Sequence, residues 1–294
     1  MTSIADSPVK KAWRSRPRPI RRVLGDPLGA IGTVLVVLVL FAAVFADFIS
    51  WYQPTHIAPL ERFQAPGFSH ILGTDNLGRD LFSRVIYGSR IALGVSLGAT
   101  LLSLVLGVSA GLAAGYGPRW LDNLLLLIFD ALKSIPTVML ALALVTLVGP
   151  SLTAVMVVVV LNATPTYARI ARTQTFMMRS SEFILAEKAL GASSWRIVIS
   201  HILPNIIGPI VIVAAMGIPV VIAIEAGMSF LGLGVRPPTP SWGSILNDGF
   251  SFIRESPWPV IAGGLPIIVT TLGFTFFGEA LRDAFDPKRL GSRP

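Results

Sequence analysis

The sequence predicts an all-α, polytopic membrane protein with six transmembrane helices. Three observations carry that prediction. First, 53% of the 294 residues are hydrophobic and only 14% are charged, where a soluble domain carries about 25% charged residues. Second, uncharged runs long enough to cross a bilayer core recur along the chain. Third, Lys and Arg are unevenly shared between the segments that separate those runs. The runs are continuous rather than alternating, which fits helices and not a membrane β-barrel.

Residues 1–27 form a basic, Pro-containing tail whose cations suit an anionic lipid surface. Residues 28–50 follow as the first spanning helix; Leu28–Ala46 holds no charge. That run exceeds the roughly 7–15 apolar residues of a cleaved signal, so it reads as a retained anchor. Residues 51–88 are turn-rich and external. Residues 89–284 make a core of five further spans. Ile91–Gly117 is the second span. Ser134–Val148 is short, so the third is expected to begin near Leu121, and Gly149-Pro150 divides it from a fourth that ends at Ala168. A polar loop, 172–203, precedes the fifth, which runs from His201 and is interrupted only by Glu225. Ser256–Gly278 is the sixth, and 285–294 form a second tail.

Placing both termini on the cytoplasmic side puts eighteen of the 24 Lys and Arg inside, among them Arg119, Lys133, Arg169, Arg172, Arg179, Lys188 and Arg196. Six remain outside: Arg62, Arg79, Arg84, Arg90, Arg236 and Arg254. This asymmetry sets the orientation. It also accounts for the net charge of +8 without nucleic acid as a partner.

The chain has no Cys, so disulfides and thiolate metal sites are excluded. Its three histidines, His56, His70 and His201, form no metal-binding motif, and no phosphate loop occurs. No cofactor is expected on this chain and no catalytic residue is assigned. Gly107-Val108-Ser109-Ala110-Gly111 fits the G-x-S-x-G pattern but lies inside an apolar span, away from any strand-to-helix elbow. Gly94, Gly98, Gly107, Gly111 and Gly115 instead predict close helix packing, within the chain or against a partner. Asp130 and Lys133, three apart, are expected to pair near the inner boundary.

The loop after the fourth span is polar, yet Phe183, Ala186, Leu190 and Ile197 recur at intervals that suit one helical face. Gly191 allows a break or close turn, and Pro204 suits the first turn of the next span. The residues alone give a short amphipathic helix, a glycine bend and a second helix entering the membrane. A plain surface helix has the same signature.

Ala186, Gly191, Leu203 and Pro204 match the Glu-Ala-Ala, three residues, Gly pattern with a later Leu-Pro that marks ABC importer permeases. Leu185 stands where that pattern has Glu, and Glu187 where it has the second Ala. Other segments resemble the peptide and nickel importer permeases of the dipeptide/oligopeptide C-subunit type. They are Leu72-Gly73-Thr74-Asp75-Asn76-Leu77-Gly78-Arg79-Asp80, Leu231-Gly232-Leu233-Gly234-Val235-Arg236-Pro237-Pro238, and Leu281-Arg282-Asp283 with Asp286-Pro287. The resemblance implies a type I ABC importer permease fold in a bacterial inner membrane. It implies a homologous second permease, two cytoplasmic ATPase subunits that hold ATP and Mg, and an extracytoplasmic solute-binding protein. Phe183, Leu185, Ala186, Glu187, Leu190, Gly191, Trp195, Arg196, Leu203 and Pro204 would then form the ATPase-docking element. The solute would be a di- or oligopeptide, with nickel chelates or opine-like solutes as alternatives.

Intramembrane ionisable and polar residues are path candidates. Glu225 and Met228, three apart on one face, and Asn162 near Pro165 are the three named here. A satisfied interhelical hydrogen bond is the competing reading of Glu225. An ion-coupled secondary transporter is the alternative class, and it would need more such groups and an inverted repeat, which the sequence lacks.

Overall fold

A computed structural model describes residues 19–285. Most of the basic tail, the 286–294 end and the Asp286-Pro287 motif lie outside the described residues.

Every regular element among the described residues is helical. A short helix, α1 (Pro19–Val23), leads into α2 (Pro27–Val44). Pro27 opens α2, and the Asp26 carboxylate accepts from the Gly29 N–H at 2.8 Å. That bond satisfies one of the helix's free donors. A one-turn helix, α3 (Ala46–Ile49), ends this span. The external segment then runs to Asp80, which caps α4 (Leu81–Tyr116) by accepting from the Ser83 N–H at 2.7 Å. The second span therefore starts ten residues before its uncharged run, because Arg84 and Arg90 are neutralised on the protein rather than left in lipid.

The third span departs from one continuous helix. It is α5 (Arg119–Ser134) and α6 (Thr137–Val148), bent by 89° at Ile135-Pro136. Proline has no N–H to continue the ladder and forces the residue before it out of helical geometry; Ile135 is extended, at φ −86° and ψ 120°. Gly149, at φ +78°, closes α6 and turns the chain into α7 (Leu152–Arg179). After α8 (Glu182–Ala189), helical backbone runs without a gap through α9 (Ser194–Phe230). The last two helices are α10 (Trp242–Ser251) and α11 (Trp258–Phe285). Among the described residues five helices are long and apolar enough to cross a membrane, and the bent α5–α6 pair makes a sixth crossing if it counts as one span.

Helices α4 and α7 form the central pair. A Cβ at Gly107, Gly111 or Gly115 would run into the α7 backbone or side chains at Thr164–Thr175. These glycines set the approach distance, as small residues do between membrane helices. Gly94 has no such neighbour and Gly98 meets only Met156, so the upper part of that small-residue series is not packed within this chain. α9, α11 and α2 close around the pair, and Gly32 brings the α2 backbone against Phe276 and Phe277.

The end of the bundle at residues 70–84 and α10 is held by a buried charge cluster. Asp75 accepts from the Leu77 and Arg79 backbone N–H groups, from Arg79 Nε at 2.6 Å and from Arg84 Nη1. Both arginines also reach Asp248 on α10, at 3.0 and 3.2 Å. His70 Nδ1 lies 2.8 Å from the capping carboxylate of Asp80. The motif at 72–80 is thus a structural knot joining the external segment to α4 and α10. Trp242 completes it by donating from Nε1 to the Val85 carbonyl at 2.9 Å.

Candidate functional site

The loop 180–204 lies beyond the end of the α4–α7 pair. Ser181 precedes α8, whose first turn carries Glu182 and whose last carries Lys188, each at the dipole end that favours its charge. Leu190 ends the helix, and Gly191 adopts φ +83°. The Gly191 N–H donates to Lys188 O and the Ala192 N–H to Glu187 O, both at 3.0 Å. This is a Schellman stop, and it needs the left-handed residue that glycine supplies. Ser193 then accepts from the Arg196 N–H at 3.4 Å to start α9.

Two isoleucines anchor the loop. Ile184 and Ile197 are fully buried in a cluster with Val108, Leu112, Tyr167, Ala171 and Ile202. Of the series Phe183, Ala186, Leu190 and Ile197, only Ile197 points in, and on α8 the inward place belongs to Ile184. Phe183, Leu185, Ala186, Leu190 and Trp195 face outward instead, Leu190 at 84% and Trp195 at 75% exposure. The Schellman turn separates the two helices, so the phase of Ile197 is independent of that of α8.

Several contacts stiffen the loop. Lys188 Nζ lies 5.2 Å from the centre of the Tyr116 ring, and Arg179 donates to the Gly115 carbonyl at 3.5 Å. Glu187 lies 3.7 Å from His201 Nε2, bridging α8 to α9. Pro204 does not begin a separate helix. Its missing N–H widens the preceding turn, and Ile197–Ile202 form a π-helical stretch inside α9. Leu203 and Pro204 are thus interior to a helix that starts at Ser194.

Residues 103–290 match the family described as binding-protein-dependent transport system inner membrane component. The chain belongs to this family. It is 37% identical to a dipeptide transport system permease protein of Alkalihalophilus pseudofirmus over 94% of this chain and 90% of the relative. It is 35% identical to a glutathione transport system permease protein of Pectobacterium atrosepticum over 97% and 94%. It is 32% identical to a di/tripeptide transport system permease protein of Pseudomonas aeruginosa over 96% and 93%. In fold it is similar to a chain of the inward-facing MetNI methionine ABC transporter. The TM-score is 0.57 at 18% identity, covering 69% of this chain and 97% of that one.

The chain is accordingly the membrane-spanning permease subunit of an ABC importer. The matched region takes in the whole loop and all three path candidates, and leaves the external knot at 72–80 outside it. In this permease Glu225 is fully buried, accepting from Ser229 Oγ at 2.8 Å, and its second carboxyl oxygen has no partner among the described residues. Met228 is buried against Val95, Val155 and Val221. Both are buried within this chain, where α9 packs on α4 and α7. Asn162 is half-buried, donating from Nδ2 to Thr137 Oγ1 at 2.8 Å. The expected Asp130–Lys133 pair is replaced by two cross-helix contacts: Asp130 pairs with Arg169, and Lys133 Nζ lies 3.4 Å from Asn162 Oδ1. No group of three or more His, Asp or Glu suited to a metal occurs among the described residues.

Proposed function

We propose that this permease imports di- or oligopeptides, and that the loop 180–204 is where a cytoplasmic ATPase docks. The peptide assignment rests on relatives named for dipeptide, di/tripeptide and glutathione transport. The docking assignment rests on one observation. The loop presents Phe183, Leu185, Leu190 and Trp195 outward on a segment pinned by Ile184 and Ile197. Large exposed apolar groups on a water-facing loop mark an interaction surface. With Leu185 in the family's Glu position, docking here depends on apolar shape rather than a carboxylate at that position.

The complete transporter pairs this chain with a homologous permease, two ATPase subunits that bind ATP and Mg, and an extracytoplasmic solute-binding protein. The chain sits in a bacterial inner membrane with six spans, α5 and α6 forming one broken span, and with both termini cytoplasmic. ATP draws the ATPases together and displaces the loop. The Glu187–His201 contact and the unbroken backbone of α9 pass that displacement into the membrane. The permease is then a two-state element biased by nucleotide on its partners.

Reconstitution tests this. Proteoliposomes holding the two permeases, the ATPases and the binding protein should take up radiolabelled dipeptide only with ATP inside the ATPase compartment. Uptake by this chain alone, driven by an ion gradient, would overturn the reading in favour of a secondary transporter.

A further inference from the structure

The face of α7 turned away from the chain's own core is polar. Asn162, Thr166, Arg169 and Thr173 follow at intervals of four, three and four, which is one helical face. Thr166, Arg169 and Thr173 are exposed. α7 is apolar and long enough to cross the bilayer, so this face does not lie against lipid tails. Helix α5 runs along it. Asp122 pairs with Arg172 (Arg172 Nη2 to Asp122 Oδ2, 2.7 Å), Asp130 pairs with Arg169, and Lys133 reaches Asn162. The span then breaks at Ile135-Pro136, next to Asn162 through Thr137.

The break lies deep. Asn162 is ten residues on from Leu152, about 15 Å along the axis at 1.5 Å per residue. That is half of a bilayer core of about 30 Å. The Lys133 ammonium lies 3.4 Å from an amide oxygen whose own NH₂ is fixed on Thr137. Among the described residues that ammonium makes no ion pair, since the neighbouring Asp130 is engaged by Arg169. Headgroup phosphates are half a core thickness away in either direction, beyond ordinary snorkelling of a lysine. Irregular backbone at membrane depth is tolerated where it lines a wet cavity.

We propose that Lys133, held by Asn162 beside the broken span, is a station for a carboxylate of the transported solute. This rests on the importer reading. It replaces Glu225 and Met228 as the path-lining residues and keeps Asn162. An ammonium with no ion-pair partner attracts an anionic group, and a peptide carries one at its C-terminus.

The absence of Cys from the chain allows a direct test. Thr166→Cys in the assembled transporter, in inverted membrane vesicles, is treated with the anionic sulfonatoethyl and the cationic trimethylammonioethyl methanethiosulfonates. Relative to their rates with a free thiol, the anionic reagent should be favoured by at least about 3-fold. Lys133→Gln should abolish that preference and Lys133→Arg should keep it. If Lys133→Gln fails to insert, Asn162→Asp, which supplies a fixed counter-charge, should abolish it equally. Failure of both reagents to label Thr166→Cys with or without ATP would overturn the proposal, as would a preference unchanged by the loss of Lys133. A preference seen in detergent but not in vesicles would put a lipid phosphate on Lys133 and also overturn it. ATP hydrolysis by the same vesicles reports separately on the importer reading: its absence before any substitution would strike that reading, not the station.

Discussion

Asp75 shows how much a single side chain can hold. One buried carboxylate answers two buried guanidinium groups and two backbone N–H groups. Asp75→Ala would leave Arg79 and Arg84 buried with Asp248 as their remaining acid. Breaking a buried pair in this way costs about 3–5 kcal/mol, so thermal unfolding in detergent should begin at clearly lower temperature, with loss of α10 docking. An unchanged melting curve would mean that the knot does not hold the external segment. Glu225 makes the opposite prediction. Because it is enclosed and bonded to Ser229, Glu225→Gln should leave the KM for solute unaltered. A raised KM would return it to the path. The sequence made Glu225 conspicuous as a charge in an apolar run, but conspicuousness does not tell which way a side chain faces. Lys133 was harder to see. Its spacing from Asp130 makes it read as half of an i, i+3 pair, and only the fold shows that it reaches Asn162 on α7 instead.

At the scale of elements, α8, the Gly191 turn and α9 form the unit on which the proposed docking rests. Gly191 has open space around it but a positive φ. Gly191→Arg should therefore insert normally and still fail to co-purify with the ATPases, since the strain falls on the turn and not on the core. Co-purification at the unsubstituted level would contradict the docking role. Leu185→Glu, by contrast, should be tolerated, because residue 185 is exposed and its replacement restores the family residue. Gly111→Leu belongs to the α4–α7 pair. Its Cβ would meet the Ala168 carbonyl and Ala171, so the yield of folded protein in membranes should fall sharply. Helix–Gly–helix order and the α4 packing face were legible in the residues, since glycine spacing and span length are local signals. The exposed set of loop residues was only partly legible. Phe183, Ile184 and Leu190 are all apolar on one short helix, and only its packing on Val108, Leu112 and Tyr167 selects Ile184 as the inward residue. The bend at Ile135-Pro136 was legible as a boundary but not as an 89° break, because a proline announces the end of a helix and not the direction that follows.

For the whole molecule, the order of apolar runs and the sharing of Lys and Arg already specified a helical, multi-pass chain with a polar loop late in the sequence. What they leave open is which faces meet other chains. Polar groups in membrane-spanning helices are placed either against protein or against water; in this fold Glu225 is buried, while Thr166, Arg169 and Thr173 are exposed. The loop 180–204 is the other outward surface. Its coupling to a separate ATPase is the central claim, and cross-linking tests it most directly. With no native Cys, Leu190→Cys carries the chain's single thiol. In the ATP-competent transporter, a short thiol-to-amine cross-linker should join this chain to an ATPase subunit, and the yield should change between ATP-bound and nucleotide-free states. If no cross-link forms at Leu190→Cys or Trp195→Cys while ATP-driven uptake continues, the ATPase is coupled elsewhere and the account is wrong.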